Sequence, residues 1–338
     1  MRFLATADLH LSDKNDLPLL ERILGCAQKQ NCDALLIGGD LMNSPFPTPE
    51  TESGMIALLS AWGKPIFIVA GNHDPLAVTA LYQKFPSNVT VFPEGMTAYT
   101  LDENFRLYGY SALREQSKRR PLENFSVPAD EIALLLGHSH FEGTDFQPVR
   151  PEELAASGLK LAILGHIHKG EQRLIGATRL LVPGIPEGRG WDETGEKFVY
   201  TVDISPDGAV VIEPHSVAER LYRQVRVDLT DCADTNEMLS RMENFQPEAN
   251  TEIRLILTGT PLENPDIAAR LYTEKYGREV INETEPALSM EMLMKQNTLQ
   301  GHFVRKAMED ITKASPEEKP ALEDALKLGL RALKEARL

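Results

Sequence analysis

The stretch Leu161-Ala162-Ile163-Leu164-Gly165-His166-Ile167-His168 decides how this chain is read. A short apolar run ends in glycine, and two histidines follow at i and i+2. The same arrangement recurs upstream. Residues 3–7 run into Asp8-Leu9-His10, residues 34–37 into Gly38-Gly39-Asp40, residues 65–70 into Gly71-Asn72-His73-Asp74, and residues 132–136 into Gly137-His138-Ser139-His140. Apolar runs of this length, bounded by glycine and polar residues, read as buried strands. Between the first two, Leu17, Leu19, Leu20, Ile23, Leu24 and Ala27 fall at helical spacing, and residues 51–62 form another helix between the second and third. Strand–helix–strand alternation predicts an α/β domain built from βαβ units.

In open α/β sheets, ligand sites lie outside the carboxyl ends of the strands, so these polar strand ends are expected to converge. The i, i+2 spacing in Asp8-x-His10 and His166-x-His168 aims both side chains one way if the chain stays extended. Any one Asp here could cap a helix or sit in a turn, and any one His could be a hydrogen-bonded surface residue. The set is not explained that way, because six of the chain's eight histidines lie in these segments and only His215 and His302 lie elsewhere. Imidazole and carboxylate donors suit Mn²⁺, Fe²⁺ or Zn²⁺, and the absence of cysteine among them argues against a structural zinc site. So many donors exceed the needs of one ion. They suit a pair about 3.5–4 Å apart, sharing a carboxylate, an arrangement fitted to phosphoester hydrolysis.

The rest of the chain sets limits on this reading. It has 338 residues, 42% hydrophobic and 25% charged, which is ordinary for a globular protein and too long for one small domain. Three cysteines (Cys26, Cys32, Cys232) without close pairing imply a reducing compartment. No signal-like segment opens the chain and no apolar run nears the ~20 residues of a membrane span, so a soluble, cytoplasmic protein is expected. A net charge of −15 lowers the expectation of general nucleic-acid binding. Residues 179–182, 198–204 and 209–212 read as strands of a second, more antiparallel sheet. Strands at 222–229 and 252–257, with helices near 236–244 and 264–276, form a small α/β unit. Beyond Pro286 the chain reads as helix over 290–311 and again over 320–338.

The series Asp8-x-His10, Gly39-Asp40, Gly71-Asn72-His73-Asp74, His138 and Gly165-His166-x-His168 resembles the calcineurin-like metallophosphoesterases over residues 1–205. The segments 165–169, Pro183-Gly184 through Gly188-Arg189, and Glu193-Thr194-Gly195-Glu196-Lys197 are similar to the SbcD-type DNA repair exonucleases and their YhaO-like relatives. The resemblance implies an α/β/β/α two-sheet sandwich over 1–215, a capping α/β domain over 216–288 and a helical segment over 289–338. It implies two metal ions, with Mn²⁺ expected. Asp8, His10, Asp40 and His168 would hold one. Asp40, Asn72, His138 and His166 would hold the other, with His140 ranked behind His138. His73 would steady the phosphate or protonate the leaving oxygen, and Asp74 would orient its neighbours.

One position departs from the family's pattern. Some nuclease members carry a histidine three residues after the bridging aspartate, where this chain has Asn43, which can hydrogen-bond a phosphate but cannot act as acid or base. Arg189, in a Gly-rich turn, is a candidate phosphate contact. The cluster Arg114, Lys118, Arg119 and Arg120 reads either as a DNA backbone contact or as a solvated loop paired with Glu115 and Glu123. In the family, C-terminal helices attach the nuclease to an SbcC-type coiled-coil ATPase. The stripe Leu322, Ala325, Leu326, Leu333 and Ala336 serves either that docking or packing on the chain itself. A homodimer is compatible with the sequence. The chain has no G-x-x-x-x-G-K-[ST] loop, so an ATP-driven step would need a partner. DNA is the expected substrate. The rivals are a nucleotide or cyclic-nucleotide phosphoesterase, favoured by the acidic charge and Asn43, and a non-catalytic scaffold, which would be expected to have lost ligands.

Overall fold

A computed structural model describes residues 1–246, 249–285 and 290–335. Its contacts divide the chain into two compact units, Met1–Gln224 with Glu248–Ile253, and Val225–Pro247 with Arg254–Leu338.

In the first unit the chain runs β1 (Arg2–Thr6), α1 (Leu17–Lys29), β2 (Ala34–Ile37), α2 (Pro49–Trp62), β3 (Ile66–Ile68) and β4 (Val89–Val91). There follow β5 (Thr97–Asp102), β6 (Phe105–Gly109), β7 (Ile132–His138), α3 (Pro151–Ala156), β8 (Leu161–Gly165), β9 (Glu171–Ile175), β10 (Thr178–Val182), β11 (Val199–Ile204) and β12 (Val210–His215). These strands form two six-stranded sheets, ordered β12-β11-β1-β2-β3-β4 and β5-β6-β7-β8-β10-β9. Side-chain alternation stacks them. Leu4, Leu35, Ile37, Ile66 and Ile68 face α1 and α2, whose Leu20, Ile23, Met55 and Leu59 complete that layer. The intervening Phe3, Ala5, Leu36 and Phe67 face the second sheet, meeting Leu134, Leu136, Leu161 and Ile163. Ala133, Leu135, Ala162 and Leu164 then pack beneath Leu154 of α3. Strands buried on both faces need continuous apolar sequence, as these runs have. The result is the expected α/β/β/α sandwich.

The second sheet is not the one expected. β11 and β12 join the first sheet, β11 lying antiparallel to β1 with Arg2 opposite Asp203. β10 joins the second sheet parallel to β8, and the core of that sheet, β6-β7-β8-β10, is parallel throughout. The edge of β1 opposite β2 is apolar on both faces and must be covered. β11 covers it, a non-local pairing with no mark in local sequence. The β5–β6 hairpin, β4 and β9 were also not expected, and half-exposed short strands give weak period-2 signals.

In the second unit, α4 (Thr235–Glu243) and α5 (Asp266–Tyr276) accompany a three-stranded sheet of β13 (Leu221–Asp228), β14 (Thr251–Thr258) and β15 (Glu279–Asn282), whose first strands begin in the other unit. The expected helix over 290–311 is two, α6 (Met290–Lys295) and α7 (Leu299–Lys313). Thr298 interrupts it, its hydroxyl accepting the Gly301 amide and starting α7 afresh. α8 (Lys319–Glu335) follows. Leu326 and Leu330 of α8 are buried with Leu293, Val304 and Ile311, and Leu322 is partly buried beside them. Leu322 and Leu326 of the apolar stripe therefore pack on the chain's own α6 and α7, while Ala325 is exposed. Ala336 and the expected helix beyond 335 lie outside the described residues. Among the described residues no helix is long and apolar enough to cross a membrane.

Candidate metal centre

The carboxyl ends of β1, β2, β3, β7 and β8 meet where the two sheets adjoin, and the loops leaving them are stitched together. The Asp8 amide donates to Gly39 O at 3.0 Å, the His10 amide to Asp40 O at 2.9 Å and the Leu11 amide to Leu41 O at 3.0 Å. Asp8, His10, Asp40 and His166 all adopt left-handed backbone, with φ of 54°, 47°, 47° and 96°. L-residues avoid this region, and it persists only where surrounding structure enforces it, most often at functional sites. Asp8 and His10 converge on the site through these turns, not through the extended chain expected from their spacing. Two glycines make room: a Cβ on Gly71 would overlap the Asp40 carboxylate, and one on Gly39 the His138 ring.

Three groups of donors lie close enough to share an ion: Asp8, His10 and His168; His10, Asp40 and His73; Asp8, Asp40 and His138. His10 Nε2 and His168 Nε2 stand 3.1 Å apart, and His10 Nε2 lies 3.8 Å from Asp40 Oδ2. His138 donates from Nδ1 to Gly38 O at 2.8 Å. Its Nε2 faces Asp40 Oδ2 at 3.3 Å and Asn72 Oδ1 at 3.0 Å. His166 Nδ1 lies 3.0 Å from the same Asn72 oxygen. The sequence-expected ligands Asp8, His10, Asp40, Asn72, His138, His166 and His168 are thus brought together. His140 belongs to none of the donor groups; its ring lies 5.6 Å from that of His166, centroid to centroid.

This donor set fits metal ions. His138 Nε2 faces two oxygen acceptors, Asp40 Oδ2 and Asn72 Oδ1, a pocket that takes either its own proton or a cation. His10 Nδ1 is buried without a hydrogen-bond partner, and burial together with the neighbouring His73 and His168 outweighs the pull of Asp40 and leaves His10 at about 3, a neutral imidazole in reach of a cation. Burial and the His138 charge likewise hold His166 at about 4. Burial alone would lower His138, but Asp40 and Asp8 push it up. Burial alone would raise Asp40, but His138 and His10 bring it below the usual carboxylate range. Asp8 is pushed up by burial. Charges confined in so small a volume shift one another in this way at functional sites.

The surrounding groups hold the donors in place. The Asp8 carboxylate accepts the His166 amide at 3.0 Å and Asp40 Oδ1 accepts the His73 amide at 2.9 Å. Asp74 is buried with its oxygens on the Gly71 and Met42 amides, at 2.8 and 3.0 Å, so it ties the β2 and β3 loops together. His73 is exposed, set edge-on to His10, and its Nδ1 donates to Asn43 O at 3.1 Å, leaving Nε2 available. Arg189 donates to Asn43 Oδ1 at 3.0 Å and to Ser12 Oγ at 3.4 Å. Glu193 Oε1 accepts from His168 Nδ1 at 2.6 Å, a bond that raises His168. Neither Glu193 nor Ser12 is a candidate site residue in the sequence. Glu193 opens the segment 193–197 that resembles the SbcD-type enzymes, but nothing local marks its bond to His168, 25 residues back along the chain. Of the basic cluster, Arg120 pairs with Glu123 at 2.6 Å and with Glu153, and Arg119 donates to Glu94 O.

This arrangement of paired sheets with a strand-end cluster of carboxylates and imidazoles is that of a metal-dependent phosphoesterase. The calcineurin-like phosphoesterase family matches residues 1–170, and the chain belongs to that family. It is 24% identical over 296 residues to the uncharacterized metallophosphoesterase YhaO of Bacillus subtilis, covering 77% of this chain and 72% of that one. It is 25% identical over 236 residues to the DNA double-strand break repair protein Mre11 of Aeropyrum pernix, covering 62% of this chain and 57% of that one. A solved dimetal phosphatase from Danio rerio superposes with a TM-score of 0.45 at 13% identity, over 64% of this chain and 96% of its own.

Proposed function

We propose that this phosphoesterase is a two-metal DNA phosphodiesterase acting in DNA repair, in the cytoplasm, with a coiled-coil ATPase as partner. The observation that carries the reading is the convergence of seven donor residues from five strand ends, with the open side of the cluster bordered by His73 and Arg189. Asp8, His10, Asp40 and His168 would hold one ion and Asp40, Asn72, His138 and His166 the other, and we assign Mn²⁺ to both. The ions supply Lewis acidity toward the phosphoryl oxygens and lower the pKa of water. His73, held by its Nδ1 bond to Asn43 O, presents Nε2 to the phosphate and protonates the leaving oxygen. The Arg189 guanidinium, fixed by Asn43 and Ser12, offers its remaining N–H groups to a second phosphate oxygen. In this role it stands in for the histidine missing at position 43.

The likeness to Mre11 and the SbcD-type motifs support DNA as substrate. The division into a capping part, 216–288, and a helical part, 289–338, belongs to the same proposal. Leu322 and Leu326 of the α8 stripe are spent on α6 and α7, so an ATPase would dock on outward residues such as Leu328. A nucleotide or cyclic-nucleotide phosphoesterase is the second reading, favoured by a charge of −15 and by an Asn43 amide oxygen already engaged by Arg189.

The test is hydrolysis, with Mn²⁺, of bis-p-nitrophenyl phosphate and of end-labelled linear DNA by wild type and His73→Ala. The expected result is cleavage of both, with a loss of roughly 10²–10⁴ in the variant. Cleavage of the small diester alone, with no partner able to restore DNA cleavage, overturns DNA as substrate. Two bound ions with neither substrate cut overturns catalysis.

A further inference from the structure

Glu193 belongs to none of the donor groups, yet its carboxylate touches both sides of the centre. Oε1 accepts from His168 Nδ1 at 2.6 Å, and Oε2 accepts the backbone N–H of Arg189 at 2.8 Å. The side chain is 11% exposed. The Glu193 amide donates to Gly190 O at 3.1 Å, which folds the segment so that the carboxylate lies back under Arg189. Arg189 in turn reaches Asn43 and Ser12 on the loops after β2 and β1.

We propose that Glu193 is a positioning residue that sets the orientation of His168 and the placement of Arg189 together, coupling metal binding to the grip on the substrate phosphate. This rests on the two-metal reading above. Because a carboxylate only accepts, His168 Nδ1 carries the proton, and Nε2 is left to face His10 and a metal ion. The other oxygen anchors a turn containing Gly188 and Gly190, which has little rigidity of its own. Freeing Oε1 lets the imidazole turn, and freeing Oε2 lets the guanidinium drift from Asn43.

Glutamine makes the distinction sharp. Its amide has one acceptor oxygen and an NH₂ group, so it cannot accept from both His168 Nδ1 and the Arg189 amide, and one link must break. Arg189→Ala removes the guanidinium and leaves both Glu193 bonds in place.

The experiment is calorimetric titration of Mn²⁺ into wild type, Glu193→Gln, Glu193→Asp and Arg189→Ala. It is paired with kcat and KM for bis-p-nitrophenyl phosphate and with circular dichroism of each protein before metal is added. Glu193→Gln is expected to lose the link that its nitrogen faces, weakening one Mn²⁺ by about 10–100-fold if that is His168 or raising KM to the level of Arg189→Ala if that is the Arg189 amide. Arg189→Ala should raise KM with Mn²⁺ affinity unchanged. If Glu193→Gln does not fold, Glu193→Asp, a methylene too short to span both partners, carries the same expectation. Wild-type Mn²⁺ affinity with wild-type KM in a folded Glu193 variant overturns the proposal. A wild-type protein that binds no Mn²⁺ overturns the two-metal reading instead.

Discussion

Two regions of this chain bury side chains for opposite reasons. At the strand ends of the first unit, Asp8, His10, Asp40, Asp74 and His138 are all buried, and three of them sit in left-handed backbone. Burying charge is costly unless it is paired, and such backbone adds of order 1–3 kcal/mol per residue. In the helices α6 to α8 the buried hydrophobic groups are Leu293, Val304, Ile311, Leu326 and Leu330, all within helix, and Thr298 caps the start of α7. The first arrangement holds polar atoms in a fixed relation at the expense of stability. The second contributes stability and presents no chemistry. Substitutions in the two regions should therefore fail in different ways.

The largest effect is expected at Asp40, whose carboxylate belongs to two of the three donor groups. Asp40→Asn keeps the shape and removes the charge. It should lose bound Mn²⁺, measured by elemental analysis, and lower bis-p-nitrophenyl phosphate hydrolysis by on the order of 10³, the several kcal/mol a metal contributes. Its circular dichroism should be that of wild type. Two Mn²⁺ ions retained at full affinity would break the contrast, because Asp40 would then be an ordinary buried acid.

Leu326→Ala is the converse. Removing a buried leucine from the α7–α8 contact should cost about 2–5 kcal/mol, seen as earlier urea unfolding of the second unit. Mn²⁺ affinity and small-diester hydrolysis should not change. Thr298→Ala, which removes the hydroxyl capping α7, should do the same to a lesser degree, about 1 kcal/mol. A loss of Mn²⁺ binding in either variant would show that the helices support the metal centre and that the two regions are not independent.

The site was more legible than the sheets that carry it. Asp8, His10, Asp40, Asn72, His138, His166 and His168 stand out because each follows an apolar run and most have a glycine beside them. Recurrence of a local pattern is visible without any structure. The pairing of β11 with β1 leaves no such mark, because it joins residues such as Phe3 and Val202 that are far apart in sequence. Nor do the positive φ angles of Asp8 and His10, which arise from loops zipped to one another. The bond of Glu193 to His168 is hidden for the same reason, because it joins residues far apart in sequence. In the helical region, composition indicated an amphipathic helix, but Leu330, buried at its centre, was not picked out among so many leucines.

The smallest expected effect separates the two ends of β1 itself. Its last residues lead into the metal centre, while at its start Arg2 forms a two-pronged pair with Asp203 of β11, both contacts at 2.8 Å. The hydrogen bond from Arg2, and its charge, hold Asp203 below the ordinary carboxylate value of 3.8. A carboxyl group lowered by folding stabilises the native state fully above its unfolded value, and the contribution is lost as pH falls through the folded one. Both side chains are about a third exposed, at 39% and 33%, so solvent screens the pair to a few tenths of a kcal/mol, about 1 at most. Arg2→Met should thus destabilise the protein by that amount in urea at pH 6, and the gap should close as the pH is taken below 3. Added salt at pH 6 should narrow it as well. A gap that stays constant with pH and salt would mean that the arginine stem acts by packing, and the start of β1 would then resemble the helical region more than the site at its other end.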